Sequence, residues 1–254
     1  MKRVIVSVTN DLTTDQRVDK VCTTLTQMGL KVLVIGKKVK NSEDLNRDYA
    51  TFRFKLIFNK GFLFYAEYNL RLFLKLLFIK KDILLSNDLD TLLPNFLISK
   101  IFKKKLVYDS HELFTEMPEL KHRPFVKKIW LTIEEWIFPK LKNVYTVNSK
   151  IASIYSKKYN VNVGIIRNIA KKYEGQFIEP SFIEKVKGNN KMLILQGGGI
   201  NIERGAKEAV EMMQYIENAI LYIIGAGDVF DIIKQQVINL KLQKKVIIIS
   251  FSCY

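Results

Sequence analysis

The run Gly197-Gly198-Gly199-Ile200-Asn201-Ile202-Glu203-Arg204-Gly205 follows the apolar stretch Met192 to Gln196, which reads as a buried strand. Glycines between a strand and a helix let backbone N–H groups approach a phosphate, and the helix N-terminus adds partial positive charge. Arg204, at the start of the helix that follows, adds a planar fork suited to a diphosphate. The spacing is neither GxGxxG nor a Walker A loop, because Ile200 and Ile202 interrupt it and no Gly-Lys-Ser/Thr follows. A plain tight turn would use the same glycines. Elsewhere, His111 in Tyr108-Asp109-Ser110-His111-Glu112 falls at the C-terminal end of an apolar run, where an open α/β sheet places its ligands. A histidine satisfied within a loop would look the same. Asp88 and Asp90 have the spacing of two carboxylates that hold a divalent cation against a diphosphate. A helix expected from Thr91 opposes that use, and no metal site is expected.

The elements that must position these residues alternate from the start. Residues 3–9 form a β-branched strand. Residues 15–28 place Val18, Val21, Cys22, Leu25 and Met28 on one helical face, with Thr13 and Gln16 as a capping box and Gly29 as the C-cap. Leu30 to Ile35 is the next strand, and a strand–helix–strand unit opens a parallel sheet. Further strands fit 51–58, 82–86, 105–109, 143–147 and 163–166, with helices at 62–79, 91–102, 124–141 and 149–159. This predicts one doubly wound domain over 1–170 and an interdomain linker over 171–191. The pattern restarts over 192–254, with strands at 192–196, 219–224 and 245–251 and helices at 205–217 and 229–240. The expected fold class is α/β, with two Rossmann-like doubly wound lobes and the second incomplete.

Helix 62–79 has the length of a membrane span, but Glu67, Arg71 and Lys75 recur every fourth residue and make one polar stripe. The helix is amphipathic: its aromatic face packs on the sheet or lies in a membrane interface. The formal net charge of +16 implies attraction to polyanions. No aromatic-basic signature of an RNA-binding module and no zinc-finger spacing is present, so nucleic acid is not an expected partner. An anionic membrane surface is the functional reading, and Lys-rich solvated faces are the alternative. Cys22 and Cys253 have no CxxC partner, which favours a reducing compartment. The basic start is followed by too short an apolar stretch for a signal peptide. The expected location is cytoplasmic, peripheral on the inner face of the membrane.

Four stretches together resemble the family 4 group of retaining glycosyltransferases with the GT-B fold. They are Thr9-Asn10-Asp11-Leu12-Thr13-Thr14-Asp15-Gln16-Arg17-Val18, Asn87-Asp88-Leu89-Asp90-Thr91-Leu92-Leu93-Pro94, Tyr108-Asp109-Ser110-His111-Glu112, and the glycine loop with Arg204-Gly205 followed by Gly225-Ala226-Gly227. The resemblance implies that the acceptor binds to the first lobe and the nucleotide-sugar donor to the second. It makes Gly198, Gly199 and Arg204 the donor-diphosphate site and His111 the active-site residue beside the donor sugar. It places Asn10, Asp15, Arg17, Asp88, Glu112, Arg167 and Asn168 on the cleft or acceptor side; helix capping would equally use Asp15. Asp-x-Asp is also the metal motif of the other large glycosyltransferase fold, GT-A, which needs no second glycine-loop lobe.

The implied partners are a nucleotide-diphosphate sugar as substrate, with no cofactor, and a glycan or lipid-linked acceptor in polysaccharide biosynthesis. The family's paired glutamates fall beyond residue 254, and Phe251-Ser252-Cys253-Tyr254 lacks the expected glycine turn, so the ending reads as a truncation. Little or no sugar transfer is expected of the chain alone. The rivals are a catalytically dead acceptor- or membrane-binding remnant, a nucleotide-sugar epimerase of the same fold, and an NAD-dependent oxidoreductase. The last is disfavoured because neither lobe carries the dinucleotide fingerprint.

Overall fold

The computed structural model describes residues 1–40, 42, 44–121, 123–170, 172, 175 and 180–250. The ending 251–254, with Cys253, lies outside the described residues, as do most residues of 171–179. The chain divides into two compact units, Met1–Ala170 and Lys171–Tyr254.

The first unit runs β1 (Arg3–Asp11), α1 (Gln16–Gln27), β2 (Lys31–Lys37), β3 (Ala50–Phe54), α2 (Gly61–Phe78), β4 (Ile83–Asn87), α3 (Leu92–Ile101), β5 (Lys105–Ser110), α4 (Pro124–Ile137), β6 (Val144–Thr146), α5 (Ser149–Tyr159) and β7 (Val163–Ile165). Its seven strands form one parallel sheet in the order β3-β2-β1-β4-β5-β6-β7. A parallel strand covered on both faces needs apolar residues in both phases of its alternation. β1 supplies them: Val4, Val6 and Val8 enter the core under α1, while Ile5 enters the larger core that also holds buried residues of α2, α3 and α5.

α1 ends as the glycine at position 29 predicts. Gly29 has φ +79°, its N–H donates to Thr26 O at 2.9 Å, and Leu30 N–H donates to Leu25 O at 3.1 Å. These two bonds are a Schellman motif and satisfy the last carbonyls of the helix. At the N-terminus the structure takes the Asp15 cap that the sequence left open and not the Thr13–Gln16 box. The cap is Asp15, whose carboxylate accepts from Val18 N–H, while Thr13 N–H is taken up in a turn by Asp11 Oδ1 at 3.1 Å.

α2 buries Phe64, Tyr68, Leu72 and Leu76, one residue per turn. Leu72 and Leu76 are fully buried, each stabilising the fold by about 1.5–3 kcal/mol. The Tyr68 hydroxyl lies 2.6 Å from Val8 O and 3.0 Å from Ile35 O, tying the helix to β1 and β2. Arg71 pairs with Glu67 at 2.7 Å on the polar stripe. No helix among the described residues is long and apolar enough to cross a membrane.

The second unit contains α6 (Pro180–Lys187), β8 (Met192–Gly199), α7 (Ala206–Met212), β9 (Ala219–Ala226), α8 (Phe230–Asn239) and β10 (Val246–Ser250). Its strands are parallel in the order β10-β9-β8. Val210, Met213, Leu221, Ile223, Ile233 and Val237 form its core. α6 falls inside the stretch that the sequence reads as a linker, and Tyr222 OH donates to Val186 O at 3.3 Å.

The glycine run is itself strand. Gly197, Gly198 and Gly199 pair with Ile224, Gly225 and Ala226, so the turn follows them rather than containing them. The two glycine segments need each other's lack of side chains, because a Cβ on Gly225 would lie 2.1 Å from Gly198 O. Gly225→Ala is expected to destabilise this unit by about 1–3 kcal/mol through overpacking. Hydrogen exchange over 192–250 measures it, with residues 1–170 as the internal control; unchanged protection would refute the close-packing account.

Candidate active site

In the first unit the strand order reverses beside β1: the chain runs outward through β2 and β3, then returns to β4 on the other side. Such a switch point opens a crevice at the strand C-termini. A cleft of about 1130 Å³ occupies that edge. Asn10, Asp15, Arg17, His111, Glu112, Arg167 and Asn168 all line it, so the structure brings together seven of the residues singled out in the sequence. Asp88 is not among the lining residues.

Asp88 instead holds His111. Its Oδ2 lies 3.0 Å from His111 Nδ1, and its Oδ1 accepts the His111 backbone N–H at 2.9 Å. To do this the backbone at Asp88 takes φ 55° and ψ 172°, a conformation rare outside glycine. It is fixed by Asp88 N–H donating to Asp109 O at 2.8 Å. On the other edge of the ring, His111 Nε2 is 3.3 Å from Asp109 Oδ2, within ion-pair range but outside hydrogen-bond geometry. The Asp109 side chain is fully buried and also pairs with Arg17, through Nη2 and, at 3.3 Å, through Nε.

The resulting order is Arg17, Asp109, His111, Asp88: alternating charges running from α1 across the ends of β5 and β4. Burial disfavours the charged imidazole, but the carboxylates of Asp109 and Asp88 outweigh it and push the His111 pKa up to about 10. His111 therefore stays protonated at neutral pH, with both nitrogens turned to carboxylates. It is a fixed cation, not a base with a free lone pair.

The other half of the Asp-x-Asp pair goes elsewhere. Asp90 is buried, accepts from the Thr9 hydroxyl, and has its pKa raised to about 7 by burial and by the Asp88 charge. Asp88 and Asp90 thus serve different partners. No group of three His, Cys, Asp or Glu side chains among the described residues is placed to hold a metal ion.

Asp15 has two duties, capping α1 through Oδ1 and accepting from Asn10 Nδ2 at 2.9 Å through Oδ2. Asn148 caps α5 by accepting from Ile151 N–H at 2.9 Å, so two helix N-termini face the cleft. Asn168 Oδ1 and Ile169 O receive Lys20 Nζ at 3.2 and 3.1 Å, which anchors the segment after β7 to α1. Lys37, Asn148 and Ser149 line the cleft without having been singled out in the sequence. Burial pushes the Lys37 ammonium below its ordinary pKa, against the pull of Asp11 and Asp90. The usable signal was position, since each of these residues ends a strand or begins a helix on the ligand-bearing edge. The lining alternates cations, carboxylates and amides, which suits a ligand rich in hydroxyl groups.

In the second unit Gly198, Gly199 and Arg204 are exposed. Gly198 has φ +98°, and Gly205, with φ +82°, immediately precedes α7. The turn between β8 and α7 is braced against the end of β9: Ile200 N–H donates to Ala226 O at 3.0 Å and Asp228 N–H to Asn201 Oδ1 at 3.2 Å.

No family model matches the sequence, and no curated protein matches it. Solved structures do. Sucrose-phosphate synthase from Thermosynechococcus elongatus superposes with a TM-score of 0.74 at 12% identity, over 98% of this chain and 70% of that one. The fold is GT-B. HepE of Anabaena, solved in complex with UDP-glucose, shares this GT-B architecture with a TM-score of 0.61 at 12% identity, over 99% of this chain and 69% of that one. A UDP-N-acetylglucosamine 2-epimerase shares it too, with a TM-score of 0.55 at 12% identity, over 98% and 68%. The GT-B fold therefore accommodates both transfer and epimerisation, and the chemistry of this chain must be argued from its own residues.

Proposed function

We propose that this GT-B chain is a glycosyltransferase that moves a sugar from a nucleotide-diphosphate donor to a hydroxyl of an acceptor. The observation that carries the reading is the cleft at the strand C-termini of the first unit, lined by cations, carboxylates and amides, with His111 held between the carboxylates of Asp88 and Asp109. The exposed glycines and Arg204 of the second unit add a suitable diphosphate site. In the reaction the bond from the anomeric carbon to the diphosphate oxygen breaks and a bond to the acceptor oxygen forms. Negative charge grows on the departing diphosphate, where Arg204 stabilises it and the glycines at the end of β8, Gly198 and Gly199, leave room for its approach. His111, kept positive by Asp88 and Asp109, orients the sugar side of the cleft and does not remove a proton. The acceptor side comprises Asn10, Asp15, Arg17, Glu112, Arg167 and Asn168, with Asp88 acting through His111.

The test is calorimetric titration with UDP-glucose, other nucleotide sugars, UMP and NAD. One nucleotide-diphosphate sugar is expected to bind saturably, and UMP much more weakly. Arg204→Ala should weaken that binding about tenfold to a hundredfold, the worth of a charge-assisted hydrogen bond. Arg204→Lys should recover only part, because a point charge cannot grip a diphosphate at two oxygens. Binding of NAD but of no nucleotide sugar would overturn the reading.

A further inference from the structure

The first unit has a second cavity of different character. It encloses about 460 Å³ between α2 and α4, within the roughly 300–1,000 Å³ of small-molecule sites, and its walls are almost wholly apolar. Trp130 forms one wall, held edge-on by Tyr65 at 5.2 Å and by Phe114 at 5.3 Å. Two of the lining residues, Asn69 and Arg123, carry strongly polar side chains. The Asn69 amide is already committed, donating to Tyr65 O at 2.8 Å and Asp90 O at 2.9 Å. Arg123 is exposed at the rim. Phe62 on α2, which also lines the cavity, is 64% exposed. A water-filled cavity needs polar partners that this one does not offer.

One stretch of chain serves both the cleft and the cavity, although no residue lines both. The chain leaving β5 lines the cleft with His111 and Glu112, then lines the cavity with Phe114, Met117, Leu120 and Arg123. A ligand with a polar head at one site and an apolar chain at the other would use both. The exposed Phe62 ring and the Arg123 guanidinium, in a chain of net charge +16, match an anionic amphiphile.

We propose that this cavity takes the hydrocarbon chain of an amphiphilic acceptor whose anionic head lies towards the cleft. The word acceptor rests on the transferase reading; binding of the chain itself does not.

The experiment uses the whole protein with Trp136→Phe, which leaves Trp130 as its only tryptophan. Butyl, hexyl, octyl and decyl phosphate are titrated below their micelle-forming concentrations while tryptophan emission is recorded. A saturable emission shift is expected, with affinity rising about fourfold per added methylene until the cavity is full. Ala66→Phe, a change on an exposed helix position lining the cavity, should abolish the response to decyl phosphate, and Val126→Phe should do the same from α4. Circular dichroism identifies which variants are folded. Equal affinity for butyl and decyl phosphate, or full decyl phosphate binding by either folded variant, overturns the proposal. A parallel nucleotide-sugar titration without amphiphile separates that outcome from failure of the transferase reading.

Discussion

Replacing Asp109 by alanine is expected to lower the unfolding free energy of the first unit by about 3–5 kcal/mol, the loss seen when one partner of a buried ion pair is removed. The side chain is fully buried and lies between Arg17 and His111. Without it, a guanidinium and an imidazolium face each other across a desolvated gap, and Arg17 loses the contact that ties α1 to the end of β5. Asp109→Asn should cost less, because the amide oxygen still accepts from Arg17 while the charge is gone. Urea unfolding monitored by circular dichroism measures both. An unchanged midpoint for Asp109→Ala would mean that the charges are solvated, and the fixed-cation account of His111 would fall with it.

The second large effect is in pH dependence. With His122→Gln, His111 is the only histidine, and its ring resonances can be followed by NMR. The expected midpoint is about 10, against an ordinary 6.5, because two carboxylates outweigh the effect of burial. The folded-state pKa lies above the unfolded one. The stabilisation is therefore complete below about 6.5 and is lost as pH rises through about 10. The difference in unfolding free energy between the parent protein and His111→Gln should be largest in neutral or mildly acidic solution and should shrink towards pH 10. A resonance titrating near 6.5 would restore His111 as a candidate base.

Much of the fold was legible because parallel strands covered on both faces must be apolar in both phases, as in β1, and because α2 repeats its buried residues every turn. Gly29 was readable for a local reason: only a residue at ease with positive φ closes a Schellman motif there. The glycine run was misplaced because glycines have no side chain to reveal pairing. That they belong to β8 follows from Gly225 and Ala226 across the sheet, a non-local fact. The cap of α1 went to Asp15 rather than Thr13 for a similar reason, since Asp11 takes the Thr13 N–H. In the cleft, His111 stood out by type and position. Asp109 did not, although it sits two residues away, because its importance depends on Arg17 arriving from another strand–helix unit.

The backbone at Asp88 places opposing demands on a single position. Its φ of 55° and ψ of 172° would suit glycine, and an L side chain there costs of order 1–3 kcal/mol. Yet glycine would leave the His111 ring and its backbone N–H without their acceptor, while asparagine would keep the acceptor and give up the charge. Mutational tolerance at this site should consequently be narrow and divided. Glycine would relax the backbone but lose the acceptor that fixes His111, whereas aspartate keeps that acceptor against the strain.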